Sequence, residues 1–114
     1  MPYDPHLADR MRTALARRPG ISERAMFGAF CWMLNGNMLC GVEVGRFMFR
    51  VGKELETKAL AKPGAEPIVF SGRRMGGLVW VDQGACRGRA LASWIELASR
   101  FVGTLTPRQR TNIL

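Results

Sequence analysis

A chain of 114 residues, 47% hydrophobic and 23% charged, has the make-up of one globular domain able to bury a core without metal or disulfide staples. Three cysteines, one histidine (His6) and no CxxC pair argue against a disulfide framework, a metal site or a cofactor held by such ligands. No apolar run reaches the roughly 18 residues that span a bilayer, and "MPYDPHLADR" lacks a secretory core, so a cytoplasmic protein with no membrane contact is expected.

The net charge is +8, and half of the excess lies on residues 83–114, where five arginines face Glu96 alone. Such a balance favours acidic partners, nucleic acid among them. The plain alternative is a basic surface kept for solubility.

In chain order, residues 4–18 predict a helix: Asp4 can cap it, Pro5 suits its first position, and Leu7, Met11, Ala14 and Leu15 recur on one face. Pro19-Gly20 stops it. Met26–Leu34 and Asn37–Glu43 flank Asn35-Gly36, the strongest short hairpin signal. Val44-Gly45 turns the chain into a third strand, Arg46–Val51. Residues 53–61 read as a short helix ended by "KPG". Two further strands, Pro67–Ser71 and Met75–Val81, are joined by "SGRR". A last helix spans Arg89–Val102, with Leu91, Trp94, Ile95, Ala98, Phe101, Val102 and Leu105 on one side. The order α-βββ-α-ββ-α predicts an α+β domain over residues 1–105 with a mainly antiparallel, five-stranded sheet, followed by a basic, frayed tail, 106–114.

A two-residue Asn35-Gly36 turn pairs Leu34 with Asn37, Met33 with Met38, Trp32 with Leu39 and Cys31 with Cys40. That puts the two cysteines in a close, non-hydrogen-bonded pair at the lower edge of disulfide geometry. Three readings compete: buried thiols acting as small hydrophobes, a redox-responsive pair, and a metal site or nucleophile. Carried through Val44-Gly45, the register pairs Cys40 with Phe49 and Val42 with Phe47. One face then holds Cys31, Met33, Met38, Cys40, Val42, Phe47, Phe49 and Val51. The other holds Phe30, Trp32, Leu34, Leu39 and Met48, with Glu43, Arg46 and Arg50 at its edge. This second face is apolar where a one-sided sheet is polar, so a helix, a second subunit or a ligand covers it. Trp32, Leu39, Met48, Arg46 and Arg50 are the candidate partner face, with a homodimer seam among the options.

"FSGRRMGG" (70–77) is not a phosphate loop, because GxxxxGK[ST] is absent and no helix follows. Its Arg73 and Arg74 read as exposed turn residues that could clamp an anion. Cys86, beside Arg87 and Arg89 and just before a helix, is a candidate low-pKa thiol. Arg73, Arg74, Arg87, Arg89, Arg108 and Arg110 are candidate contacts for weak, non-specific DNA binding. No acid–base carboxylate pair, Ser-His-Asp set or dinucleotide fingerprint is present, so no enzyme is expected.

"MFGAFCWMLNGNMLCGV" (26–42), "PGAEPIVFSGRRMGGLVWV" (63–81) and "LASWIELASRFVGTL" (91–105) resemble the N-terminal domain of TfoX (Sxy), a family of bacterial competence regulators. The Met-Phe-Gly opening and the Pro-Gly-Ala-Glu-Pro segment are the most specific parts. The resemblance implies an α+β domain in the order read above, likened to type III secretion chaperones. It also implies a role in transcription regulation, through the cyclic-AMP receptor protein in full-length members. It supplies no catalytic residues.

Overall fold

A computed structural model describes residues 3–26 and 28–108. Helix α1 (Pro5–Leu15) begins where the sequence places it: the Asp4 carboxylate accepts the His6 N–H at 2.8 Å, and Leu7, Ala8, Met11 and Leu15 form the buried stripe. Strands β1 (Ile21–Met26), β2 (Ala29–Leu34), β3 (Asn37–Val42) and β4 (Arg46–Arg50) follow. Next come helix α2 (Glu56–Leu60), strands β5 (Ala65–Phe70) and β6 (Arg73–Asp82), a 3-10 turn (Gln83–Ala85) and helix α3 (Arg89–Val102). The strands make one antiparallel sheet in the order β1-β2-β3-β4-β6-β5.

The α+β class stands, but the sheet has six strands rather than five. The extra one is β1, whose sequence "ISERAM" shows no apolar alternation because it is an edge strand with a largely exposed surface. It pairs along its whole length with β2, from Ile21 opposite Leu34 to Met26 opposite Ala29. The expected strand from Met26 is therefore interrupted, and Gly28 sits there with φ 73°. Likewise Arg73 and Arg74 belong to β6, and the β5–β6 turn is Ser71-Gly72, both left-handed (φ 53° and 75°).

The β2–β3 hairpin closes through Asn35 (φ 51°) and Gly36 (φ 83°), as its sequence demands. Leu34–Asn37 and Met33–Met38 pair as expected, but the next pair is Trp32 with Cys40, then Cys31 with Gly41 and Phe30 with Val42. Leu39 is an extra residue, a β-bulge in which Leu39 and Cys40 both oppose Trp32. A slip of one residue exchanges the two faces of a strand. Trp32 and Leu39 therefore turn into the main core, and Cys31 and Met38 turn to the other side. The expected Cys31–Cys40 pair does not form, whereas Cys40–Phe49 and Val42–Phe47 do.

The three helices share one side of the sheet. Their Leu7, Met11, Leu15, Ala59, Leu91, Trp94, Ile95, Ala98 and Val102 pack with Trp32, Leu39, Cys40, Val42, Phe47, Phe49, Val51, Val79 and Val81. Trp94 stacks on Phe49 with centroids 5.4 Å apart. The Trp32 indole N–H, carried into this core, donates to Glu23 Oε2 at 3.1 Å, and Arg12 Nε holds the same oxygen at 2.6 Å. The indole N–H is thus satisfied by Glu23 of β1, a carboxylate that Arg12 of α1 holds in place.

Residues 106–108, the first part of the expected tail, lie against the hairpin turn. Arg108 N donates to Asn35 O at 2.7 Å and Asn37 Nδ2 to Thr106 O at 2.9 Å, strapping the segment onto the hairpin turn.

Candidate functional site

Strand alternation sends Arg24, Cys31, Met38, Arg46, Met48, Arg50, Leu78 and Trp80 to the side of the sheet opposite the helices. A second hydrophobic cluster forms there. Ala29, Cys31, Met48 and Ile68 are buried, with Met26, Met38, Leu78 and Trp80 half-buried around them, and no helix residue takes part. Gly41 makes the close packing feasible. A Cβ there would lie 3.0 Å from Met48 Cε and from Phe30 O, and 3.1 Å from Cys31 Sγ, so glycine lets those two side chains close over the strand without its neighbours having to give way. At the rim, the Arg46 guanidinium sits 3.9 Å above the Trp80 ring, held by Glu43 Oε1 at 2.7 Å from its Nε.

Of the expected partner face, Met48 and Arg46 lie on this helix-free side, whereas Arg50 leaves β4 there but carries its guanidinium to the Phe101 ring of α3, 5.6 Å away. Trp32 and Leu39 are not on this side: both are fully buried beneath the helices, for the reason the bulge supplies. Met38, Leu78 and Trp80 take their place. Sequence reasoning missed them because the bulge carries no Pro or Gly of its own. The one available signal was Gly41, a glycine inside an otherwise apolar strand.

All three thiols are buried. Burial pushes Cys31 and Cys86 up to about 11, and Cys40 further above the ordinary range with help from neighbouring Cys31. At Cys86 the nearby Arg10, which hydrogen-bonds the Cys86 carbonyl, pulls the other way, but desolvation outweighs it. The low-pKa thiol expected from Arg87 and Arg89 is thus not what the fold builds.

The candidate nucleic-acid arginines do not converge. Arg74 is committed to Glu56, with its Nε and Nη2 3.2 and 3.0 Å from Oε2, while Glu56 Oε1 accepts the Gly77 N–H at 2.9 Å. Arg73 is exposed beside the β5–β6 turn. Arg87 and Arg89 stand at the start of α3 and Arg108 lies beyond its end, and the 14-residue helix between them is about 20 Å long. Arg110 lies outside the described residues. The basic side chains that the fold does bring together are Arg50, Lys53 and Arg100, which line one cleft beyond the last turn of α3.

Among the described residues no group of three or more His, Cys, Asp and Glu gathers to hold a metal ion. Among the same residues no helix is long and apolar enough to cross a membrane.

A family model described as the TfoX N-terminal domain matches residues 13–102, most of the chain. No curated protein and no solved structure matches.

Proposed function

We propose, from the premise that this chain belongs to the TfoX N-terminal domain family, that it is a non-enzymatic cytoplasmic module acting in transcription regulation, and that it binds another protein through the helix-free face of its sheet. The regulatory role rests on the family. The contact surface rests on a single observation: a second hydrophobic cluster on a face that no helix covers, with Met38, Leu78 and Trp80 partly exposed and Arg24 and Arg46 around them. An antiparallel sheet with one face in water normally carries polar side chains there. Aromatic, methionine and arginine side chains together are the mixture enriched at protein interfaces.

The net charge of +8 makes a partner with an acidic rim a better fit than a second copy of the same chain, because like charges oppose association. Replacing Met38 and Leu78 together by Glu puts charge on the face without touching the helix side. We expect the double variant to lose a protein captured by the unaltered chain, with that binding reproduced from purified components, and to keep its circular dichroism and melting temperature. Sedimentation equilibrium reports a homodimer if that is the occupant. Identical capture by both chains, with both monomeric, would refute the reading.

A further inference from the structure

We propose that the cleft bounded by the β4–α2 loop, the middle of β6 and the last turn of α3 binds a phosphate-bearing ligand of nucleotide size. This site is separate from the sheet-face contact and does not depend on it.

The cleft holds about 600 Å³, within the range of small-molecule sites. Its floor is made by close backbone approach. Val51 N and Gly52 N both donate to Gly77 O, at 2.8 and 3.1 Å, drawing the end of β4 against β6. Gly52 and Gly77 are left-handed (φ 85° and 82°). A Cβ on Gly52 would lie 2.6 Å from the Phe101 ring, and one on Gly77 would lie 3.1 Å from the Gly52 carbonyl carbon. Lys53 lies along Gly76, where an added Cβ would come 3.2 Å from Lys53 Cε. Val51, Leu55 and Phe101 give the walls apolar surface, and Arg100 and Thr104 close the far side.

Charge decides what would enter. Arg50, Lys53 and Arg100 line the cleft against one carboxylate, Glu54. None of these cations has an ion-pair partner among the described residues, whereas Arg12, Arg18, Arg46 and Arg74 each have one. Lys53 does feel Glu56, but that carboxylate is already taken by Gly77 N–H and Arg74. Arg50 is half-buried, over the Phe101 ring at 5.6 Å, and feels the positive charge of Arg108. A guanidinium does not shed its charge to escape such repulsion, so an anion bound beside it would be favoured. The C-terminal end of α3 opposes an anion through its partial negative charge. That opposition is weakened because Ser99 O accepts from Gly103 N, and Phe101 O accepts from Thr104 N and Thr104 Oγ1. Cations set around an apolar wall suit a phosphate carried on an apolar body. A free nucleotide and the phosphodiester of a single strand share that chemistry.

The test is an amide chemical-shift titration of the full chain. Its probes are inorganic phosphate, mixed ribonucleoside 5′-monophosphates, the matching uncharged nucleosides, and a short single-stranded thymidine oligomer, each at low and near-physiological salt. Phosphate and the monophosphates should shift Gly52, Lys53, Gly76 and Gly77, and the nucleosides should not. Lys53→Glu with Arg100→Glu should weaken binding about tenfold or more. Arg87→Glu, at the opposite end of α3, should leave it unchanged. Both cleft positions are exposed, and the Lys53→Gln, Arg100→Gln pair provides a milder second variant. Much tighter, steeply salt-dependent binding of the oligomer identifies a polynucleotide as the source of the phosphate. Equal binding of oligomer and monophosphate identifies a free nucleotide. The site is refuted by no shifts with millimolar phosphate or nucleotide at low salt, by equal shifts from the uncharged nucleosides, or by binding that survives both double variants.

Discussion

Trp32 separates the observed register from the one the hairpin turn alone implies. Paired with Leu39, it would stand on the helix-free face, and its loss would alter association. Paired with Cys40, it lies in the main core with no exposed surface, so its loss must cost stability. Truncating a fully buried tryptophan costs about 3–5 kcal/mol. That is a large part of the 5–15 kcal/mol or so that holds a typical domain, so Trp32→Ala should be partly unfolded at 37 °C or so. Trp32→Phe is the finer probe. It keeps most of the ring volume but loses some packing, worth about 1–2 kcal/mol. It also loses the 3.1 Å bond to Glu23, a carboxylate that keeps Arg12 and some solvent and so is not stranded. The bond therefore counts at the low end, about 1 kcal/mol. The sum, about 2–3 kcal/mol, corresponds to a melting temperature lowered by roughly 10 °C for a domain of this size. Urea denaturation followed by circular dichroism should show a lower midpoint at unchanged slope. If Trp32→Ala melts within about 2 °C of the parent, a shift below 1 kcal/mol, and only association changes, then the bulge is wrong and Trp32 belongs to the outer face.

Glu56→Ala should cost about 1–3 kcal/mol, because the buried Gly77 N–H loses its acceptor. The Gly77 hydrogen bond first, then Arg74 and Lys53, hold the Glu56 carboxyl below its ordinary range against the effect of desolvation. Its contribution is thus full above the unfolded value of about 4.3 and lost as pH falls through the lower folded value. The stability gap between the parent and Glu56→Gln should narrow on that acid side, and a gap independent of pH would contradict the clasp. Gly41→Val should lower stability by about 1–3 kcal/mol by forcing Met48, Cys31 and the Phe30 carbonyl apart, and a melting curve unchanged from the parent would show that the face is not closed there. Native Cys31 and Cys86 should react with iodoacetamide at pH 8 or so about a hundredfold or more slower than a model thiol. Labelling at the model rate would show that these thiols are not buried.

What could be read from the sequence was whatever local chemistry decides. Asp4-Pro5 starts α1, Asn35-Gly36 closes the hairpin, and the spacing of Leu91, Trp94, Ile95, Ala98 and Val102 predicted α3 at both ends. What could not be read was decided by tertiary neighbours. β1 is a strand because β2 offers it an edge, not because "ISERAM" alternates. The bulge was hidden because both registers keep apolar residues inside: Cys31, Trp32, Leu39 and Cys40 are all plausible core. Hence the turn was right and the faces beyond it were exchanged. The cleft was hidden for another reason. Lys53 and Arg100 are unremarkable in their own segments and meet only because Gly52 and Gly77 bring the end of β4 against the middle of β6 beside Phe101.

The strap at Thr106–Arg108 bears on how the domain would carry a mechanical load. Near its beginning the chain is fastened at one end of the β2–β3 hairpin, where Asp4 N meets Glu43 O and Tyr3 lies 5.2 Å from Phe30. Near its close it is fastened at the other end, on Asn35 and Asn37. Tension between these two anchors runs along the strands, across ladder bonds that share it side by side, so the hairpin would resist as a sheared joint rather than open like a zipper. The first element to yield would be the Arg108–Asn35 bond, which makes the strap a weak link in series with a strong one.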